Sequence, residues 1–150
     1  AQGYILDDQK AEDYRLKKIR IEKLFRTGLE LFKKKDYSPS LSSLKIAARN
    51  GHLGAKLLRA QIYEKLGNVE KAKKIYEELS ALDDPEAMCS LARLNEEKDI
   101  DKAKTWLEQA IYLKHPMAYL DLGILYTRYA RQLETEESNV NASRYFHEAI

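Results

Sequence analysis

Three histidines, one cysteine and a few paired acids are the residues of this chain whose types suit chemistry. His52 and His115 could ligate a metal or move a proton, and Asp84 lies between them, 32 residues after the first and 31 before the second. Groups a whole repeat apart stand on the order of 20 Å from each other where helices pack at about 8–10 Å. That is too far to share a metal, and a capping or loop role accounts for all three. His147 has no evident partner in sequence. Asp99 and Asp101 lack the further ligands and the glycine of a calcium loop. No Ser/His/Asp or Cys/His constellation stands out, and with 6 Gly in 150 residues there is no glycine-rich phosphate loop. Asn141-Ala142-Ser143 is a formal glycosylation sequon, but Ala142 falls at a packing position near an expected helix start, which makes the match a coincidence. No catalytic, cofactor-binding or metal-ligating residue is therefore expected, and the chain reads as a non-enzyme.

Bulk composition, with few Gly and Pro and plentiful Lys, Glu, Leu and Ala, favours long helices with short connections. The 150 residues are 44% hydrophobic and 33% charged, with a net charge of +2. Near-neutrality argues against a general affinity for nucleic acid or an anionic membrane. Residues 1–35 hold ten Lys/Arg against six Asp/Glu, and residues 132–150 hold one Arg against four Glu; both read as solvated helix faces. Lys33-Lys34-Lys35 and Lys17-Lys18 lack interleaved aromatics at groove spacing, so they too read as helix surface. Cys89 alone excludes an internal disulfide and any cysteine-based zinc cluster. No apolar run reaches the roughly 18–20 residues of a membrane span, so direct membrane insertion is not expected.

The elements follow from the punctuation. Asp7 to Lys35 has no Pro and one Gly, predicting one long helix or two abutting ones. Its apolar Tyr14, Leu16, Ile19 and Ile21 predict packing on the first repeat, with residues 1–22 as a cap. Ser38-Pro39 is a candidate N-cap followed by a first-position proline, opening a helix to about Asn50. Gly51 stops it, and Ala55–Leu66, Val69–Ala81, Glu86–Glu96, Ile100–Leu113 and Met117–Leu133 are the next helices. Glu134 to Asn139 is predicted as a loop, and Val140 to Ile150 as the start of a further helix.

Self-similarity ties these helices together. Ala55, Ala87 and Ala118 recur at 32 and 31 residues, and five positions after each stands a small residue, Ala60, Ala92 and Gly123. Gly28 lies 32 before Ala60. In the second helices Ser40, Ala72 and Ala103 recur at the same intervals, with Ala142 delayed by the predicted loop. Leu44, Tyr76, Leu107 and Phe146 follow one turn later, while Tyr63 and Tyr126 are expected in the core. Small residues let helices approach within about 8–10 Å, and a two-helix unit buries its apolar face only by stacking.

Ala55-Lys-Leu-Leu-Arg-Ala60-Gln-Ile-Tyr63-Glu-Lys-Leu-Gly67 and Lys71-Ala72-Lys-Lys-Ile-Tyr76 resemble the two helices of a tetratricopeptide repeat. Lys102-Ala103-Lys-Thr-Trp106-Leu107 and Ala47-Ala48-Arg-Asn-Gly51-His52-Leu-Gly-Ala55 are similar to the Sel-one-like branch. The period of 31–32 is shorter than the 34 of ordinary tetratricopeptide repeats. The resemblance covers about 23–150. It implies an all-α protein, an α/α superhelical solenoid of about four helix-turn-helix units (23–54, 55–86, 87–117 and a truncated 118–150) behind the capping helix.

The resemblance also implies where a ligand would sit, on the concave face of each first helix. That face carries Phe25, Leu29 and Phe32 in the first unit and Leu57, Gln61 and Glu64 in the second. Cys89, Arg93 and Glu96 follow in the third, and Leu120, Ile124 and Thr127 in the fourth. An apolar surface with polar groups between suits a protein or peptide partner laid across the helices, unless the N-terminal segment, or repeats beyond Ile150, cover it within the same chain. The expectation is a non-enzymatic interaction scaffold or adaptor that takes no cofactor and no nucleic acid. A bacterial envelope scaffold, an exopolysaccharide-export or cell-wall assembly component, which the Sel-type resemblance implies and an Ala1-Gln2 start is compatible with, and the repeat arm of a larger enzyme are the alternatives. Partner, compartment, periplasmic or cytoplasmic, and oligomeric state are not read from the sequence.

Overall fold

The structure, a computed structural model, describes residues 2–148, of which 2–6, 145, 146 and 148 are described by their helix path alone. Seven helices make up the described residues: α1 (Gln2–Lys33), α2 (Tyr37–Arg49), α3 (Leu53–Lys65), α4 (Val69–Ser80), α5 (Pro85–Asn95), α6 (Ile100–Tyr112) and α7 (Pro116–Glu148). They divide into two compact units, Ala1–Leu82 with α1 to α4 and Asp83–Ile150 with α5 to α7. Within each unit consecutive helices pack as pairs, and α1 also meets α3 as α5 meets α7. The fold is an all-α helical repeat of the expected class.

Local chemistry sets the helix boundaries. Asn68 accepts from the Lys71 N–H, Asp84 from those of Glu86 and Ala87, and Asp99 from that of Lys102, each satisfying a donor with no partner inside its helix. His52 caps α3 through Nδ1, which accepts from the Ala55 N–H at 3.0 Å. Gly51 and Gly67 turn the chain at φ of 88° and 79°, where a side chain would be strained. α2 departs from the expected start: Asp36, not Ser38, is its N-cap residue, and Pro39 stands in the third helical position. Proline, which has no N–H, costs no hydrogen bond there, because an N–H in the first turn has no acceptor inside the helix.

Each unit has its own core. In the first, Leu44, Ile62, Tyr76 and Leu79 are fully buried with Ala47, Ala55, Ala60 and Ala72 between them. Gly28 permits the closest approach: the Ser40 hydroxyl donates to its carbonyl at 2.6 Å, and Leu44 occupies the space a Cβ would need. Ala87, Leu91, Ala92, Ala103, Leu107, Ala110 and Ala118 build the second core.

Three expectations are corrected. Tyr14, Leu16 and Ile19 do not pack on the first repeat; all three are exposed, and burial on α1 begins at Ile21. Glu134 to Asn139 is not a loop, and Val140 does not open a new helix, since α7 runs unbroken to Glu148. No Gly or Pro interrupts residues 124–148, and the stretch makes helical side-chain bonds, Thr135 Oγ1 to the Arg131 carbonyl and Gln132 to Glu136. Every other inter-helix turn but one contains a residue with φ between 59° and 88°. As a result Tyr126 and Ala142, expected to be packed, are exposed, and Phe146 and Ile150 lie outside the described side chains.

Candidate functional site

In the first unit the helix faces expected to carry a ligand are partly closed by the unit's own packing. Phe25, Leu29 and Phe32 on α1 are half-buried against the cluster of Ile21, Leu44, Ala47 and Leu58. The Phe25 ring stacks on His52 with centroids 4.2 Å apart, and Phe32 meets Tyr37 at 5.9 Å. His52 is therefore fixed at both nitrogens and one face. Its Nδ1 takes the α3 cap, and Nε2 lies 3.1 Å from Glu22 Oε2, which assigns the ring proton to Nε2. The hydrogen bond from His52 holds the Glu22 carboxyl below its ordinary value of 4.5 against an opposing desolvation, and a further hydrogen bond from Arg26 pulls the same way as His52.

On α3, Leu57, Gln61 and Glu64 are half-buried. Glu64 accepts a 2.5 Å hydrogen bond from the hydroxyl of Tyr76, a fully buried α4 residue, so one carboxylate of the expected ligand face holds the α3–α4 pair together. Lys56 reaches Glu78 of α4 at 2.6 Å and holds that carboxyl below its usual range.

The second unit is more open. Cys89 on α5 is half-buried between the two apolar clusters of the unit. Burial pushes its thiol up to about 12, and the neighbouring carboxylate of Asp121 pushes the same way. Glu96 is largely covered and bonded at 2.5 Å to Arg128 of α7. Arg93 is exposed. On α7, Leu120, Ile124 and Thr127 are all exposed, Thr127 turning its hydroxyl back to the Gly123 carbonyl at 2.9 Å. Met117 is exposed on the same side.

The sequence reading missed Met117, Asp121 and Arg128. The repeat register does not point to them: the third and fourth units are offset by 31 residues, so Leu120 and Thr127 match Cys89 and Glu96, and the Arg128–Glu96 bond is made one residue past that match. Among the described residues no group of three or more His, Cys, Asp or Glu could hold a metal ion. No described helix is long and apolar enough to cross a membrane.

Helix pairs of this length, with small residues at the crossings and first helices packed side by side within a unit, define an all-α helical-repeat protein. Residues 53–84 match the tetratricopeptide repeat family, and this chain is a tetratricopeptide-like helical repeat protein. No curated protein matches the chain. Tetratricopeptide repeats generally mediate protein–protein interaction and are typically non-catalytic.

Proposed function

We propose that the chain is a non-enzymatic interaction module that binds a segment of a protein partner on the exposed face of its first helices. The observation that carries this is the row Met117, Leu120 and Ile124 on α7. These are large apolar side chains, Leu120 at 55% and Ile124 at 39% exposure, at the helical spacing of a stripe. Such a stripe buries the apolar anchors of a helical or extended peptide. Arg93 and Thr127, on the ligand faces of the same unit, supply polar contacts that fix direction.

Selection from a displayed peptide library tests the reading. Peptides with two or three apolar anchors should be enriched by the chain and lose at least tenfold in affinity to Leu120→Asp/Ile124→Asp, whose exposed positions spare the core. Selected peptides that bind the double variant undiminished would remove this face as the site.

A further inference from the structure

Gly28 and Gly123 hold the same place in the repeat but meet different surroundings. At Gly28 a second helix is seated, with Leu44 atoms 2.5 Å from where a Cβ would stand. At Gly123 nothing lies within 4 Å of that position. The same side of α7 carries Tyr119, Tyr126, Leu133 and Val140, spaced by seven and exposed by 62, 48, 47 and 60%. Seven-residue spacing keeps these side chains along one seam with a drift of about 20° per heptad. At 1.5 Å per residue the seam is about 32 Å long.

The two halves of this seam differ. The half from Tyr119 to Tyr129 is backed by α6, and together Ile100, Asp101, Lys104, Leu125, Tyr126 and Tyr129 line a shallow groove of about 160 Å³. Lys104 lies there with its ammonium 5.9 Å from the Tyr126 ring centre. From Ala130 to Arg144 every side chain is exposed, and the acids of this half, Glu134, Glu136 and Glu137, cluster at its middle with Arg131 and Arg144 at its ends.

We propose that α7 pairs antiparallel with α7 of a second copy of this chain, the free half of each helix lying along the α6-backed half of the other. The occupant must be a helix with apolar side chains every seven residues, and Leu133 and Val140 provide that on the chain itself. Antiparallel order follows from the halves. It places each free arm in a groove and brings Lys104 of one copy to the Glu134–Glu137 stretch of the other. A parallel pair would set groove against groove and acid against acid. The contact is isologous, so two copies close it without open-ended growth. Its midpoint falls between Tyr129 and Ala130, so each Ala130 lies beside the Tyr129 and Ala130 of the other copy. This seam lies roughly a third of a turn or more around α7 from Leu120 and Ile124, so its test is separate from that of the peptide site.

Sedimentation equilibrium of the 150-residue chain should give twice its 17.4 kDa. Tyr126→Glu/Leu133→Glu should halve that mass with unchanged helical circular dichroism, whereas Leu120→Asp/Ile124→Asp should stay dimeric. In a Cys89→Ser background, Ala130→Cys should form an intermolecular disulfide under mild oxidation and Val140→Cys should not, since only a parallel pair aligns two copies of residue 140. A monomeric wild-type chain would overturn the proposal, as would a dimer that survives the seam variant. Cross-linking through Val140→Cys, or none through Ala130→Cys, would overturn the antiparallel order.

Discussion

The same substitution at two equivalent glycines should change stability with opposite signs. Glycine inside a helix costs roughly 0.5–1 kcal/mol relative to alanine, so Gly→Ala gains that much where the new methyl has room. At Gly123 the methyl meets nothing within 4 Å, and Gly123→Ala should stabilise the second unit by that amount. At Gly28 it would stand 2.5 Å from both Cγ and Cδ2 of Leu44, which is fully buried and cannot swing aside at its branch point. Over-packing of this kind costs about 1–3 kcal/mol, and pushing the helices apart also lengthens the buried 2.6 Å bond from Ser40 to the Gly28 carbonyl. After the helix gain is subtracted, Gly28→Ala should destabilise by about 1–2 kcal/mol. For a chain of 150 residues each kcal/mol moves the melting temperature by about 2–4 °C. Both changes should be made in the Leu133→Glu background, so that association along α7 does not enter, and followed by urea unfolding and thermal melts. A Gly28→Ala chain as stable as its parent would refute the claim that this glycine exists for close approach. A destabilised Gly123→Ala chain would show that a helix already occupies that seat.

Three further outcomes follow from individual contacts. His52→Ala removes the α3 cap and the ring that stacks on Phe25, and should cost about 1 kcal/mol in urea unfolding, with His52→Asn recovering the cap portion. Glu22 is held below its ordinary value by His52 and Arg26, so its contribution is complete above about pH 4.5 and is lost as pH falls through the lower folded value. Stability measured down that range should decline less steeply in His52→Ala, and an identical decline would discount the Glu22–His52 pair. Cys89, with its thiol at about 12 against an ordinary 9.0, should carry roughly a thousandfold less thiolate at neutral pH than a free cysteine and label correspondingly slowly. Asp121→Asn should speed that labelling, and rapid modification of the parent chain would contradict the burial of the thiol.

What was legible in the sequence follows the reach of each interaction. Caps and turns are decided within four residues, and Asn68, Asp84, Asp99, Gly51 and Gly67 each do what their types and places predict. The small-residue register was legible too, because helix crossings demand it: Gly28, Ser40, Ala60 and Ala72 are buried as the period required. The period failed where it was used to infer a partner that the local chain does not enforce. Ala142 sits at a packing spacing, yet Glu134 to Asn139 holds no residue that must leave helical φ and ψ, so propagation of an existing helix prevails over a turn that would need a new nucleus. The ligand face shows the same division. Register named Glu64 and Leu120 as members of one face, but whether a residue is free depends on its neighbour on the next helix. Tyr76 claims Glu64, Arg128 claims Glu96, and nothing comparable covers Leu120. The residues left open, Leu120 and Ile124 on one side of α7 and Tyr126 and Leu133 on another, are those that no described helix covers, and on both sides the exposed side chains are large and apolar.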